Sequence, residues 1–280
     1  IILIKKIMKG KNMKQNSWNL SKLKRQAINN QDFDEYVLNQ SGILENEHLK
    51  VLDIGCSNGY KTTMLFDKYS NIEHIVGIDI DEKAIDEAIY KFKGNIRYEF
   101  KLKSINDLDD TNKYDIIYLS YVLQHLKNPK EIIKKLKNKL SDRGIIIIKV
   151  PDDSFKICYP DEENLLQQIL MLYEKEIMPK RNNTKYTDRY IGKKVLNYLE
   201  TSGYKDIKLY YSINDTINKS KEEKIKFFER SIAFRRANEK DNITLEVKNT
   251  MDNLLNKMRN KFEDEKFFYT MAVLYYTATK

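Results

Sequence analysis

The sequence predicts an α/β fold built on a mostly parallel sheet, and three observations carry the prediction. Val51-Leu52-Asp53-Ile54-Gly55-Cys56-Ser57-Asn58-Gly59 reads as a buried strand, a glycine-hinged loop and the start of a helix. Short Ile- and Val-rich runs recur downstream, bounded by Gly, Asp and Asn, as strands buried on both faces do. Segments with apolar residues at helical spacing alternate with these runs.

Taken in order, residues 1 to about 15 form a basic tail. Residue 1 is Ile, and Met8 and Met13 are candidate starts. Ser17 to Leu38 has a helical pattern that stops at Ser41-Gly42. Strand one spans about Lys50–Gly55, and a helix follows from Tyr60 towards Tyr69. Strand two, Ile75–Asp79, leads to a helix with Ala84, Ile85, Ala88 and Ile89 on one face, broken at Gly94-Asn95. Strand three is Ile96–Leu102 and strand four Tyr114–Ser120. Ile132, Ile133, Leu136 and Leu140 mark the next helix, and Asp142-Arg143-Gly144 reads as a turn into strand five, Ile145–Val150. Pro160 to Lys185 holds an additional amphipathic segment. A helix opening at Thr187 and closing at Gly203 precedes strand six, Asp206–Ser212. About fifty residues of helical pattern separate it from the last strand, Phe267–Ala278.

Composition bounds the function. A chain of 280 residues with 41% hydrophobic residues can bury one large core. No run approaches the ~20 apolar residues of a membrane span, and Ile1–Ile4 is too short for a signal-peptide core. Cys56 and Cys158 make no disulfide framework, so a reducing cytoplasm is expected. His48, His74 and His125 lack ligand spacing, and no metal site is expected. The net charge of +9 is spread over lysines interleaved with Glu and Asp, which reads as a solvated surface.

The loop separates nucleotide classes. A dinucleotide site needs G-x-G-x-x-G, whereas this loop is G-x-x-x-G with Asp53 before it. A carboxylate there suits a ligand bearing an ammonium group. A second acid, Asp79, ends the next run at the spacing of a ribose-binding acid, roughly 20 residues on.

VLDIGCSNG followed by GIDID resembles the class I S-adenosylmethionine-dependent methyltransferases. The resemblance implies a seven-stranded, mostly parallel Rossmann-like sheet with N-terminal lid helices and helical insertions after strands five and six. Residues 1–48 would be tail and lid, with Trp18, Arg25 and Tyr36 as lid candidates. Residues 49–280 would be the catalytic domain, with insertions at about 160–186 and 213–266. The implied cofactor is S-adenosyl-L-methionine (SAM), with S-adenosyl-L-homocysteine (SAH) as product. Asp53, Gly55, Cys56, Ser57 and Gly59 would wrap its methionine and ribose, and Asp79 would hold the ribose with Ile80 on the adenine. Ser104 and Ile105 fall where the family usually shows Asp-Ala. Ser120-Tyr121-Val122-Leu123-Gln124-His125-Leu126 resembles the family's segment after strand four. It puts Ser120, Tyr121 and Gln124 at the methyl group, with Tyr121 and His125 as catalytic candidates.

Neither the Asn/Asp-Pro-Pro-aromatic motif nor a Pro-Cys nucleophile is present, which points away from adenine-N6 and pyrimidine-C5 chemistry. The first reading is therefore methylation of an O or N atom of a small molecule under a helical cap. Tyr159, Tyr173, Tyr186, Arg189, Tyr190 and Phe228 are the expected pocket residues. Other readings are an RNA methyltransferase using the basic surface and a non-catalytic SAM-binding regulator. A homodimer is compatible with each.

Overall fold

The computed structural model describes residues 31–108, 111–181, 184, 186–239 and 241–280. The lid candidates Trp18 and Arg25 and the basic tail lie outside the described residues. The strands are β1 (Leu49–Ile54), β2 (Ile72–Asp79), β3 (Tyr98–Leu102), β4 (Tyr114–Ser120), β5 (Leu140–Tyr159), β6 (Lys205–Asp215) and β7 (Phe268–Thr279). They form one seven-stranded sheet in the order β3-β2-β1-β4-β5-β7-β6. The first five strands are parallel, and β7 runs antiparallel to both β5 and β6. The expected seven-stranded, mostly parallel sheet is thus the one observed.

The helices are α1 (31–40), α2 (Tyr60–Phe66), α3 (Glu82–Lys91), α4 (Pro129–Lys137), α5 (Leu165–Leu172), α6 (Gly192–Thr201), α7 (Lys221–Ser231) and α8 (Leu245–Glu263). Alternation along each strand sends side chains to opposite faces. Leu52, Ile54, Ile117, Leu119, Ile146 and Ile148 pack with Ile132, Ile133 and Leu136 of α4 and Val195 and Leu199 of α6. Val51, Ile116, Tyr118, Ile145 and Ile147 pack on the other side with Val37 and Leu38 of α1, Leu65 and Phe66 of α2 and Ile85 of α3. Both faces of β1, β4 and the middle of β5 are covered, which is why these strands read as near-continuous apolar runs.

Strand five departs from expectation at both ends. Asp142-Arg143-Gly144 does not form a turn into it; β5 starts at Leu140 and absorbs the irregularity as a register shift opposite Tyr114 and Ile116. Pro151-Asp152-Asp153 does not end it. Pro151 pairs with Val273 and Lys156 with Met271, so four residues of β5 bulge out against one of β7. Proline has no N–H for the ladder, and a bulge is where a strand can hold one. The ladder then resumes to Tyr159. β6 likewise runs past its expected end, pairing with β7 through Asp215.

This overhang carries a third core. Leu165, Leu166, Ile169 and Leu170 of α5 pack with Phe227 and Phe228 of α7, and with Met251, Leu255, Met258 and Phe262 of α8. Tyr269 of β7 closes it from the sheet side. Segments 160–186 and 213–266 therefore share one apolar centre. Thr187 does not start α6, which begins at Gly192; residues 187–191 cross instead as an irregular strap.

Candidate active site

The loop after β1 turns because two glycines allow it. Gly55 and Gly59 have φ of 75° and 72°. A Cβ on Gly55 would lie 2.3 Å from Val122 Cγ2, and one on Gly59 2.6 Å from Phe100 Cζ. Gly55 N and Cys56 N donate to Ile78 O at 2.8 and 3.1 Å, which pins the loop to the end of β2. Cys56 is buried, with its Sγ in the niche left by Gly77, where a Cβ would meet the sulfur at 2.8 Å. Burial pushes its thiol pKa up, so it is a filler, not a nucleophile.

Asp53 is 3% exposed at the end of β1, and Thr62 Oγ1 of α2 donates to its Oδ2 at 2.5 Å. Burial pushes its pKa up to about 6, against the Thr62 bond and the Lys61 charge. Asp79 accepts from Ser57 N at 2.8 Å on one oxygen and from Asp81 N at 3.0 Å on the other. Each oxygen keeps a lone pair, which is what a vicinal diol needs. Ile80 is 73% exposed, an uncovered apolar surface beside Asp79. Ser104 caps the short turn Ile105–Asp107 by accepting from Asn106 N at 3.2 Å. Ile105 is buried, and its side chain packs in the core on the α4 side of the sheet.

At the end of β4 the structure adds partners that the sequence did not disclose. Lys61 Nζ donates to Ser120 Oγ at 2.6 Å and pairs with Asp34 of α1 at 3.2 Å. Asp34 also receives Lys149 Nζ of β5 at 2.9 and 3.1 Å and the Tyr118 hydroxyl at 3.1 Å. Burial alone would raise Asp34, but the Lys61 and Lys149 charges hold it below the usual carboxylate value. Lys149 is fully buried, over the rings of Tyr121 and Tyr275 at 5.1 and 5.0 Å, and burial drives its pKa well down. Tyr121 has φ of 57°, and its hydroxyl is pushed up by burial and then by the Asp34 charge. Polar residues buried inside otherwise apolar strand patterns, such as Lys149 in Ile-Ile-Lys-Val, were the available signal.

Gln124 is buried; its Nε2 donates to Tyr121 O at 2.9 Å, and its Oε1 has no partner among the described residues. His125 lies against the strap. Its Nδ1 is 2.8 Å from Thr187 Oγ1 and its Nε2 3.3 Å from Gln124 Nε2. Burial and the Arg189 charge bring its pKa down to about 4. Asp188 N donates to Gln124 O, and Arg189 O accepts from Asp153 N, both at 2.8 Å. The strap therefore ties the end of β4 to the bulge of β5.

The expected pocket residues divide. Arg189 holds Asp153 through Nε and Nη2 at 3.2 and 2.9 Å, and Arg235 Nη2 reaches the same carboxylate at 2.6 Å. Tyr173 lies under Arg235, 5.5 Å from ring centre to guanidinium, and Tyr190 is half-buried close by, with Lys193 over its ring. Tyr186 is exposed, with Lys127 near its ring. Phe228 is fully buried against Phe262 in the helical core, and Tyr159 is exposed at the far end of β5. The structure thus gathers Tyr173, Arg189 and Tyr190, and leaves Phe228 as packing and Tyr159 as surface.

A parallel sheet closed by an antiparallel β7, with a glycine loop after β1 and an acid at the tip of β2, is the frame of the class I SAM-dependent methyltransferases. Residues 45–203 match the family described as "Methyltransferase domain", and the chain belongs to that family. It is similar to the ubiquinone biosynthesis O-methyltransferase of Rickettsia bellii, 30% identical over 101 residues, covering 36% of this chain and 41% of that protein. The chain spans about two fifths of the length of the curated relatives it matches first. The YcgJ protein from Bacillus subtilis superposes with a TM-score of 0.55 at 13% identity, covering 89% of this chain and 99% of that one. The Haemonchus contortus phosphoethanolamine N-methyltransferase 2, solved with phosphomonomethylethanolamine and SAH, gives 0.50 at 13%, covering 86% and 53%. At such identity these two likenesses concern the fold.

The family's cofactor is SAM, and the residues present fit it. Gly55 and Gly59 leave a cradle that Cβ atoms would obstruct, Asp53 offers a carboxylate for an ammonium, and Asp79 retains acceptors for two hydroxyls. Lys61 Nζ stands at the same end of the sheet, held by Asp34 and Ser120.

Proposed function

We propose that this protein is a SAM-dependent methyltransferase acting on an O or N atom of a small molecule, with SAH as product. The observation that carries the reading is the pair of acids: Asp53 and Asp79 stand at the carboxyl ends of adjacent strands, on either side of the glycine loop. SAM supplies an electrophilic methyl group on a sulfonium. The chain's part is to hold, orient and exclude water. Asp53 and Lys61 fix the amino-acid end, Asp79 fixes the ribose, and Ser120, Tyr121 and Gln124 border the methyl. His125 serves as a positioning residue. Both of its ring nitrogens face partners within the protein, and a base whose pKa is about 4 takes few protons at neutral pH.

The acceptor reading rests on the same edge. α5, α7 and α8 form a helical cap over the overhang of β5 and β7, and the strap at 187–191 brings Arg189 towards Tyr121 and Gln124. Residues 1–48 act as tail and lid, of which α1 supplies Asp34 to Lys61 and Lys149. The Rickettsia bellii relative's name places it in ubiquinone biosynthesis, which agrees with a small-molecule acceptor.

Calorimetry with SAM, SAH and NAD tests the cofactor reading. Micromolar binding of SAM and SAH, about −8 kcal/mol, is expected. Binding of NAD with no heat from either sulfur ligand would overturn it.

A further inference from the structure

The two edges of the sheet are built differently. β3, at one edge, has five residues, and Lys101 and Glu99 pair along it at 2.9 Å. Short length and charge keep an edge strand from pairing with another chain. β6, at the other edge, has eleven residues. Its protection is confined to one end, where Lys205, Asp206 and Lys208 surround a bulge and Asp206 has φ of 48°. The next five residues, Leu209-Tyr210-Tyr211-Ser212-Ile213, hold neither charge nor proline. No strand lies beyond them among the described residues. A bare edge of such β-forming composition invites pairing.

Both faces of this edge also expose apolar surface. On the α6 side, Ile207 and Leu209 are partly covered by the core that α6 shares, whereas Tyr211 is 44% and Ile213 66% exposed. On the opposite side Tyr36 of α1 is 47% exposed and meets the Tyr210 ring edge-on at 6.1 Å.

We propose that β6 pairs antiparallel with β6 of a second copy of this chain, about a two-fold axis at Tyr210, so that one sheet runs through a homodimer. The strand complements its own reverse. With Tyr210 opposite itself, Ile207 meets Ile213 and Leu209 meets Tyr211 on the α6 side, and Lys208 meets Ser212 on the other. Each partly covered residue then lies beside a bare one. Past the bulge, Lys205 lies towards Asp215 of the second copy, so the basic end meets the acidic end. Moving the axis to Tyr211 would set Ile207 against Asp215, which the apolar pattern disfavours. Pairing over 207–213 supplies about seven main-chain hydrogen bonds, within the range of specific interfaces. The contact closes on itself, and the edges that remain are the short, charged β3 strands. Tyr36 and Tyr210 of both copies gather at the axis. Dimerisation thereby clamps α1, whose Asp34 holds Lys61 and Lys149.

The test uses the full chain. Sedimentation velocity from about 1 to 100 µM should show a dimer. Ile213→Lys, at an exposed position, should weaken it about 30-fold or more with an unchanged circular dichroism spectrum. Register is read by a short bismaleimide, with the wild type and its Cys158 as background. Ile207→Cys and Ile213→Cys proteins should cross-link when mixed, but not singly, because each residue lies about 20 Å from its own mate. A chain that is monomeric at 100 µM would overturn the proposal. So would a dimer that Ile213→Lys leaves intact, or Ile213→Cys that links to itself as fast as to Ile207→Cys. A monomer that dimerises only once residues 1–30 are removed would assign the edge to the chain's own tail, and would overturn the second copy as its occupant.

Discussion

Replacing Asp53 by Asn should make the empty protein more stable and its cofactor binding weaker. Asp53 is fully enclosed, and its pKa rises from 3.8 to about 6, first through burial. Holding it ionised at pH 8 therefore costs about 2 pKa units, or roughly 3 kcal/mol. Asn keeps the shape and an oxygen for the Thr62 hydroxyl but loses the charge-assisted strength of that 2.5 Å bond, worth about 1 kcal/mol. A net gain of about 1–3 kcal/mol remains, or roughly 2–10 °C in Tm. The sign with pH follows from the raised value. The Asp53 contribution in the wild type is fully present below about pH 4 and is lost as pH rises through 6. The advantage of Asp53→Asn should thus be near zero at pH 4 and reach its plateau above pH 7. SAM affinity at pH 8 should fall about 10–100-fold, as a charge-assisted bond to the ammonium is lost. Thermal melts from pH 4 to 8, paired with calorimetry, read both effects. A variant less stable than wild type at pH 8, or a difference that does not close with acid, refutes the buried-charge argument. An unchanged SAM affinity refutes the placement of the cofactor.

Asp79→Ala should weaken SAM by roughly 1.5–3 kcal/mol, because the ribose loses its acceptors and Ser57 N and Asp81 N lose theirs; equal affinity in calorimetry would mean the ribose lies elsewhere. Gly55→Ala adds a Cβ 2.3 Å from Val122 Cγ2 to a left-handed backbone, so a loss of at least about 1–2 kcal/mol in urea unfolding is expected, together with weaker SAM binding. Once an acceptor is found, its pH–rate profile should show no limb between pH 6 and 7 from His125, whose depressed pKa keeps it neutral there; a limb at 6.5 that disappears in His125→Asn would make it a general base after all.

The parallel sheet was legible because β1, β2 and β4 are largely apolar runs ended by Gly, Asp or Ser, while β3 alternates apolar and polar residues as an edge strand does. The cofactor loop was legible because its chemistry is contiguous, from Asp53 to Gly59, with Asp79 one unit later. The end of β5 was not. Pro151-Asp152-Asp153 has the composition of a turn, and only the long-range pull of β7, Arg189 and Arg235 makes it a bulge within a continuing strand. Asp34, Lys61 and Lys149 were missed for the same reason: they come from α1, α2 and β5, and only the fold brings their charges together. Phe228 and Tyr159 were chosen by residue type alone; the first is fully buried in the helical core and the second exposed at the end of β5. A deletion of 160–186 is not a usable probe of the cap, since α5 supplies Leu165, Ile169 and Leu170 to a core shared with α7 and α8.

The overhang of β5 also behaves as a spacer. Lys149 lies in register with Ser120 and pairs with Asp34, and Asp153 holds the arginine pair four residues further along the same strand. At about 3.3 Å per residue those two stations are at most ~13 Å apart, and the bulge shortens the span. Inserting two residues into the bulge would therefore move the two charge clusters apart without changing any residue in either.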